Sequence, residues 1–136
     1  MTDSNQRGAA VVEMAFVTIL LALFVCGIVD LGRVIFTNIG VHDAAQEGAR
    51  FAAYNPPSNL ADVQIIENVT VEATDYPDLT AGTIQVTCPS PSSVEVRVDI
   101  TVDYVTPLIG DLFGGSIDLS QSYTSSVLTQ EKECDL

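Results

Sequence analysis

The sequence predicts an α+β protein: a long N-terminal helix, then a small domain with a short helix and an antiparallel sheet of about three strands. Three observations carry this. An apolar run fills residues 9–29, no proline occurs before Pro56, and from Thr83 onward the spacing of apolar residues changes from helical to alternate. Helix first and strands afterwards is the order of an α+β domain with a meander.

The run from Ala9 to Val29 covers 21 residues and is interrupted only by Glu13 and Thr18. At 1.5 Å per residue it reaches about 31 Å, the thickness of a hydrocarbon core. Arg7 precedes it, whereas the sequence after it is acidic. This bias predicts a single pass with the N-terminus cytoplasmic and the C-terminal domain periplasmic or extracellular. Glu13 is the anomaly, because a carboxylate at membrane depth costs roughly 2.5–3.5 kcal/mol on insertion scales. A cut after Gly8 would make Ala9 the N-terminus and set its amine at i,i+4 from Glu13, on one helix face.

Three kinds of N-terminal signal compete. A secretory signal peptide needs a small-residue cleavage site after its apolar core, and Val25-Cys26-Gly27-Ile28-Val29 offers none. A lipoprotein cut before Cys26 would want small residues where Leu23-Phe24-Val25 stand. Removal of a short polar leader, residues 1–8, with the apolar helix retained, fits best.

Past the membrane, Asp30 and Arg33 are placed to pair at i,i+3. Leu31, Val34, Ile35, Ile39 and Val41 continue at helical spacing. Two rows of small residues follow, Ala44, Gly48, Ala52 and Ala45, Ala49, Ala53. Such rows let a second backbone approach closely. They serve either the chain's own domain or neighbouring subunits. Asn55-Pro56-Pro57 stops the helix, giving a membrane segment at 9–29, a helical stalk at 30–54 and an extracytoplasmic domain at 55–136. From Ala9 to Tyr54 the helix would be about 69 Å long.

In the domain, Ser58-Asn59 can cap a helix over roughly 60–68, with Val63, Ile66 and Leu60 toward the core. Residues 83–88 alternate as a first strand, and Pro89 to Ser93 reads as a hairpin turn. Val94, Val96, Val98, Ile100, Val102 and Tyr104 then alternate with Glu95, Arg97, Asp99, Thr101 and Asp103, as in a central strand with one buried face. After a loop from Pro107 to Ser116, residues 117–129 form a third strand. In an up-down-up meander Cys134 emerges at the same end as Cys88, so the two can form a disulfide in an oxidising compartment. Cys26, within the apolar run, reads as a small buried hydrophobe.

Arg7-Gly8 with Glu13 and an apolar helix resembles the class III leader of type IV pilins and pseudopilins. Gly27-Ile28-Val29-Asp30-Leu31-Gly32-Arg33 and Ala44-Ala45-Gln46-Glu47-Gly48-Ala49-Arg50 resemble, in order, the further blocks of the TadE-like family. The resemblance implies cleavage between Gly8 and Ala9 by a membrane prepilin peptidase, and a subunit-assembly role for Glu13. Met14 stands where major pilins of this type carry Tyr, which points to a minor pilin or pseudopilin of a Tad-type (type IVc, Flp) pilus used in adhesion or secretion. The implied partners are other pilins or pseudopilins, the pilus assembly platform, the prepilin peptidase and the lipid bilayer. The implied location is the inner membrane, with passage into an extracellular pilus.

Other functions fit poorly. The chain carries 18 acidic against 5 basic residues in 136, and would repel nucleic-acid phosphate. It has one histidine, His42, and no G-x-S-x-G, H-E-x-x-H, C-x-x-C or phosphate loop. Neither enzyme activity nor a metal or other cofactor is expected; Glu95, Asp99 and Asp103 read as a solvated strand face and Glu47–Arg50 as an exposed ion pair or partner contact. The rival to the pilin reading is an uncleaved single-pass protein displaying an extracytoplasmic protein-binding domain.

Overall fold

Helix α1 runs without a break from Asp3 to Tyr54, 52 residues or about 78 Å. The computed structural model describes residues 3–73, 82–106, 110–111, 114–129 and 132–136, with side-chain surroundings described from Gly8 onward. The first two residues of the leader, and parts of the loop read from Pro107 to Ser116, lie outside these. Helix α2 spans Leu60–Glu72, and strands β1, β2 and β3 span Thr83–Ser90, Ser93–Asp103 and Ser116–Ser126. The strands form one antiparallel sheet in the order β1-β2-β3. The fold is therefore α+β.

The sheet lies along the second half of α1. Eleven residues of extended chain cover about 37 Å, and the 25 helical residues from Asp30 to Tyr54 cover about the same length. β2 begins beside the top of the helix, near Ala53, and ends near Asp30 and Arg33. Its alternation is complete: Val94, Val96, Val98, Ile100 and Val102 are buried, while Arg97, Thr101 and Asp103 face water. Val94, Val96, Val98 and Ile100 meet Val41, Ala44, Ala45, Ala49 and Ala52 of α1 and Ile66 of α2 to form the core. β-Branched side chains from the sheet thus fill the space that alanines leave on the helix.

Asn59 caps α2, its side-chain oxygen accepting from the Asp62 N–H at 2.9 Å. Ile66 and Thr70 are the buried residues of this helix, Val63 is half-buried, and Leu60 points to solvent rather than to the core. α2 also runs four residues past the expected end at 68. The third strand stops at Ser126 instead of Thr129, because the chain then leaves the ladder: Val127 N–H bonds to Ser92 O and Leu128 N–H to Ala53 O. The tail closes over the top of the domain, with Cys134 N–H on Pro91 O and Asp135 N–H on Pro57 O. Cys88 and Cys134 are joined by a disulfide, their Cα atoms 5.6 Å apart.

Candidate assembly site along the N-terminal helix

Among the described residues, the first half of α1 has no partner within the chain. Val11, Val12, Met14, Phe16, Ile19, Leu21, Phe24 and Ile28 are each more than half exposed, and they point to every side of the helix. Gly8, Ala9 and Glu13 are exposed on the same segment, and a Cβ built at Gly8 would touch nothing. Because α1 is regular here, Ala9 and Glu13 lie one turn apart on one face. Thr18, the other polar residue of the run, donates its hydroxyl to Met14 O at 2.8 Å, so it needs no external partner. Cys26, expected to be buried, is instead a free cysteine exposed on this surface, because no described part of the chain packs against this half of the helix.

The second half is divided by face. Thr37, Val41, Ala44, Ala45, Gly48, Ala49, Ala52 and Ala53 turn toward the domain and are buried. Both small-residue rows therefore pack within the chain itself. At Gly48 the approach is tightest, because an added Cβ would overlap Thr70 Oγ1. Thr70 is fully buried and donates that hydroxyl to Ile66 O at 2.7 Å, so it cannot simply move away. On the opposite face Leu31, Ile35, Phe36 and Ile39 remain 50–65% exposed and extend the apolar surface about three turns past Val29.

Between these halves stands Asp30, which is only 3% exposed. Its carboxylate does not bond to Arg33 as spacing suggested. It accepts the backbone N–H groups of Val105 and Thr106, each at 3.1 Å, from the chain leaving β2. The Thr106 hydroxyl, these two amides and the nearby Arg33 charge hold the Asp30 pKa below the usual carboxylate value against the opposing effect of desolvation. Arg33 instead reaches Asp103 O at 3.5 Å. Higher up, Gln121 donates to Asn38 Oδ1 at 2.9 Å and His42 meets Tyr123 edge-on. These polar contacts fix the sheet's height on the helix, which local sequence spacing could not reveal.

At the top, Lys132 binds Asp62 at 2.9 Å. That hydrogen bond first, with further ones from Ser58, lowers the Asp62 pKa. Asp99 is lowered as well, chiefly by Ser120 and then by Arg97. Glu47 and Arg50 form an exposed pair at 3.4 Å. Among the described residues no group of three His, Cys, Asp or Glu side chains is placed to hold a metal ion. Glu95, Asp99 and Asp103 lie on one strand face, where Asp99 is engaged by Arg97.

These features define a class: a domain mounted on one helix that is long and apolar enough to cross a membrane, by length and composition, with that apolar stretch unburied. The family model for TadE-like proteins matches residues 8–50. That match covers α1 almost to its end and relates the chain to proteins associated with Tad pili; the sheet domain lies beyond it. Comparisons with curated proteins and with solved structures gave no match.

Proposed function

We propose that this protein is a membrane-anchored pseudopilin or minor pilin that takes part in assembling a Tad-type pilus. The observation that carries the reading is the apolar surface of α1, which surrounds the helix through Val29 and continues on one face through Ile39 with none of the described residues packed over it. Before assembly lipid covers the part of this surface through Val29, and afterwards helices of neighbouring subunits cover the whole of it. The small residues that could have served that purpose are occupied by the chain's own core, so contacts between subunits fall to the large ones.

In this reading the prepilin peptidase removes residues 1–8 and frees the Ala9 amine. Glu13 pairs with an N-terminal amine, its own or a neighbour's, which removes the penalty of an isolated carboxylate in lipid and favours subunits seated at the correct depth. The domain sits outside the inner membrane, where an oxidising compartment maintains Cys88–Cys134. The protein acts through assembly contacts and carries out no chemistry. Its partners are other pilins or pseudopilins and the assembly platform.

The mass of the N-terminus in cells that make a Tad system tests this. A mature chain starting at Ala9, with subunit crosslinks from Phe36 that Glu13→Ala abolishes, is the expected outcome. An intact leader together with crosslinks indifferent to Glu13 would instead identify a static anchor for a displayed binding domain.

A further inference from the structure

The Asp30 clamp has a geometric consequence for the chain that leaves β2. Asp30 is the first residue after the 21-residue apolar run ending at Val29, so it marks the level at which α1 emerges from a hydrocarbon core of about 30 Å. Its two oxygens hold the amides of Val105 and Thr106 at that level. Arg33, one turn above, holds the carbonyl of Asp103. The Val105 side chain is nevertheless 62% exposed, and Tyr104, an amphipathic ring of the kind enriched at membrane interfaces, is half-buried beside it. Tyr104 N–H is tied to Gly115 O at 3.1 Å, where Gly114 and Gly115 turn the chain back into β3 with φ of 98° and 84°, values that favour glycine. In sequence, the residues between add Leu108, Ile109, Leu112 and Phe113 against a single charge, Asp111. In a chain that is otherwise strongly acidic after His42, this is an apolar stretch of sequence, and its described start, Tyr104–Thr106, lies at the level of Asp30.

We propose that the segment Tyr104–Thr106 is a second membrane contact, resting in the interfacial layer of the bilayer and held there by Asp30, so that the sheet stands on the lipid surface rather than swinging on the helix. The occupant is lipid, because the tether height is fixed by the membrane-spanning segment itself and the contact is continuous with that segment's lipid-facing surface. The proposal rests on the reading of residues 9–29 as a membrane span.

The chain contains no tryptophan, so a single introduced one is an unambiguous reporter. The full chain is reconstituted in phosphatidylcholine/phosphatidylglycerol vesicles with or without lipids brominated on the acyl chains. Four variants are compared: Val105→Trp, the conservative Tyr104→Trp, Phe16→Trp within the span and Leu128→Trp at the top of the domain. Expected are strong quenching at 16, clear quenching with blue-shifted emission at 104 and 105, and none at 128. Adding Asp30→Asn to Val105→Trp should reduce its quenching at least twofold while leaving that at 16 unchanged. Unquenched emission at both 104 and 105, with quenching retained at 16, would overturn the interfacial contact alone. A blue shift without quenching would also overturn it, since protein and not lipid would then cover the segment. Loss of quenching at 16 would mean that the span itself is wrong and would remove both readings together.

Discussion

The two halves of α1 are one continuous helix with opposite habits. Below Asp30 large apolar side chains stand exposed on every side; above it, the face toward the domain is built mostly from Ala and Gly and is buried. A helix can satisfy lipid or neighbours with bulky side chains pointing everywhere, but it can accept a sheet and a second helix at close range only where side chains are small. The same backbone therefore serves as anchor and as core, and residue size decides which. Asp30 and Gly48 mark the two ends of that arrangement: one fixes where the domain begins, the other how closely it packs.

The contrast can be broken most severely at the top of the upper half. Replacing Cys88 and Cys134 together by Ser opens a cross-link of 46 residues' separation. The domain should lose about 4 kcal/mol by the chain-entropy estimate, read as a lower denaturation midpoint of the full chain in mild detergent. Next comes Gly48→Ala, which drives a methyl into Thr70. Overpacking of this kind costs roughly 1–3 kcal/mol, partly offset by about 1 kcal/mol of helix propensity. Because the clash is specific, adding Thr70→Ala should recover part of the loss; strictly additive effects would show that the contact is not as tight as described.

Acid should weaken the domain half. Asp30, Asp62 and Asp99 all have folded-state pKa values below the ordinary 3.8, so their stabilisation is complete above that value. It is lost as the pH falls through the lowered folded values. A pH series of melting curves should therefore be flat near neutrality and fall below about pH 4. Asp62→Asn should flatten that acid limb, since the Lys132 contact depends on the carboxylate. The smallest effect belongs to the lower half: Glu13→Gln should leave the domain's melting within about 0.5 kcal/mol, because Glu13 is exposed and far from the core. A larger change would mean that the anchor and the domain are energetically coupled.

Elements governed by local pattern were legible in the sequence. The proline-free stretch and the stop at Pro56-Pro57 delimit α1, and the valines of β2 announce a one-sided strand through strict alternation. What eluded local reading depends on residues far apart in the chain. Asp30 has a plausible partner in Arg33, yet backbone amides 75 and 76 residues away take both of its oxygens. Thr70 reads as an ordinary polar residue until the Gly48 backbone is placed against it. Leu60 is apolar and stands beside the cap, but the first turn of α2 projects it into solvent. The small-residue rows were ambiguous for the same reason, since small side chains show that something approaches without showing what. Of the candidate assembly residues, Gly8, Ala9 and Glu13 are proposed from motif and spacing, whereas the exposed stripe from Leu31 to Ile39 required the sheet's position to be known.

The division of α1 at Asp30 is tested most directly by spin labels at single cysteines from Phe16 to Phe36, on a Cys26→Ser background with Cys88–Cys134 intact, in reconstituted vesicles. Relaxation by oxygen should exceed relaxation by a water-soluble nickel chelate at every position up to Val29, and the ratio should invert between Asp30 and Phe36. A uniform nickel-dominated profile from Phe16 onward, or an oxygen-dominated one that persists to Phe36, would contradict the account.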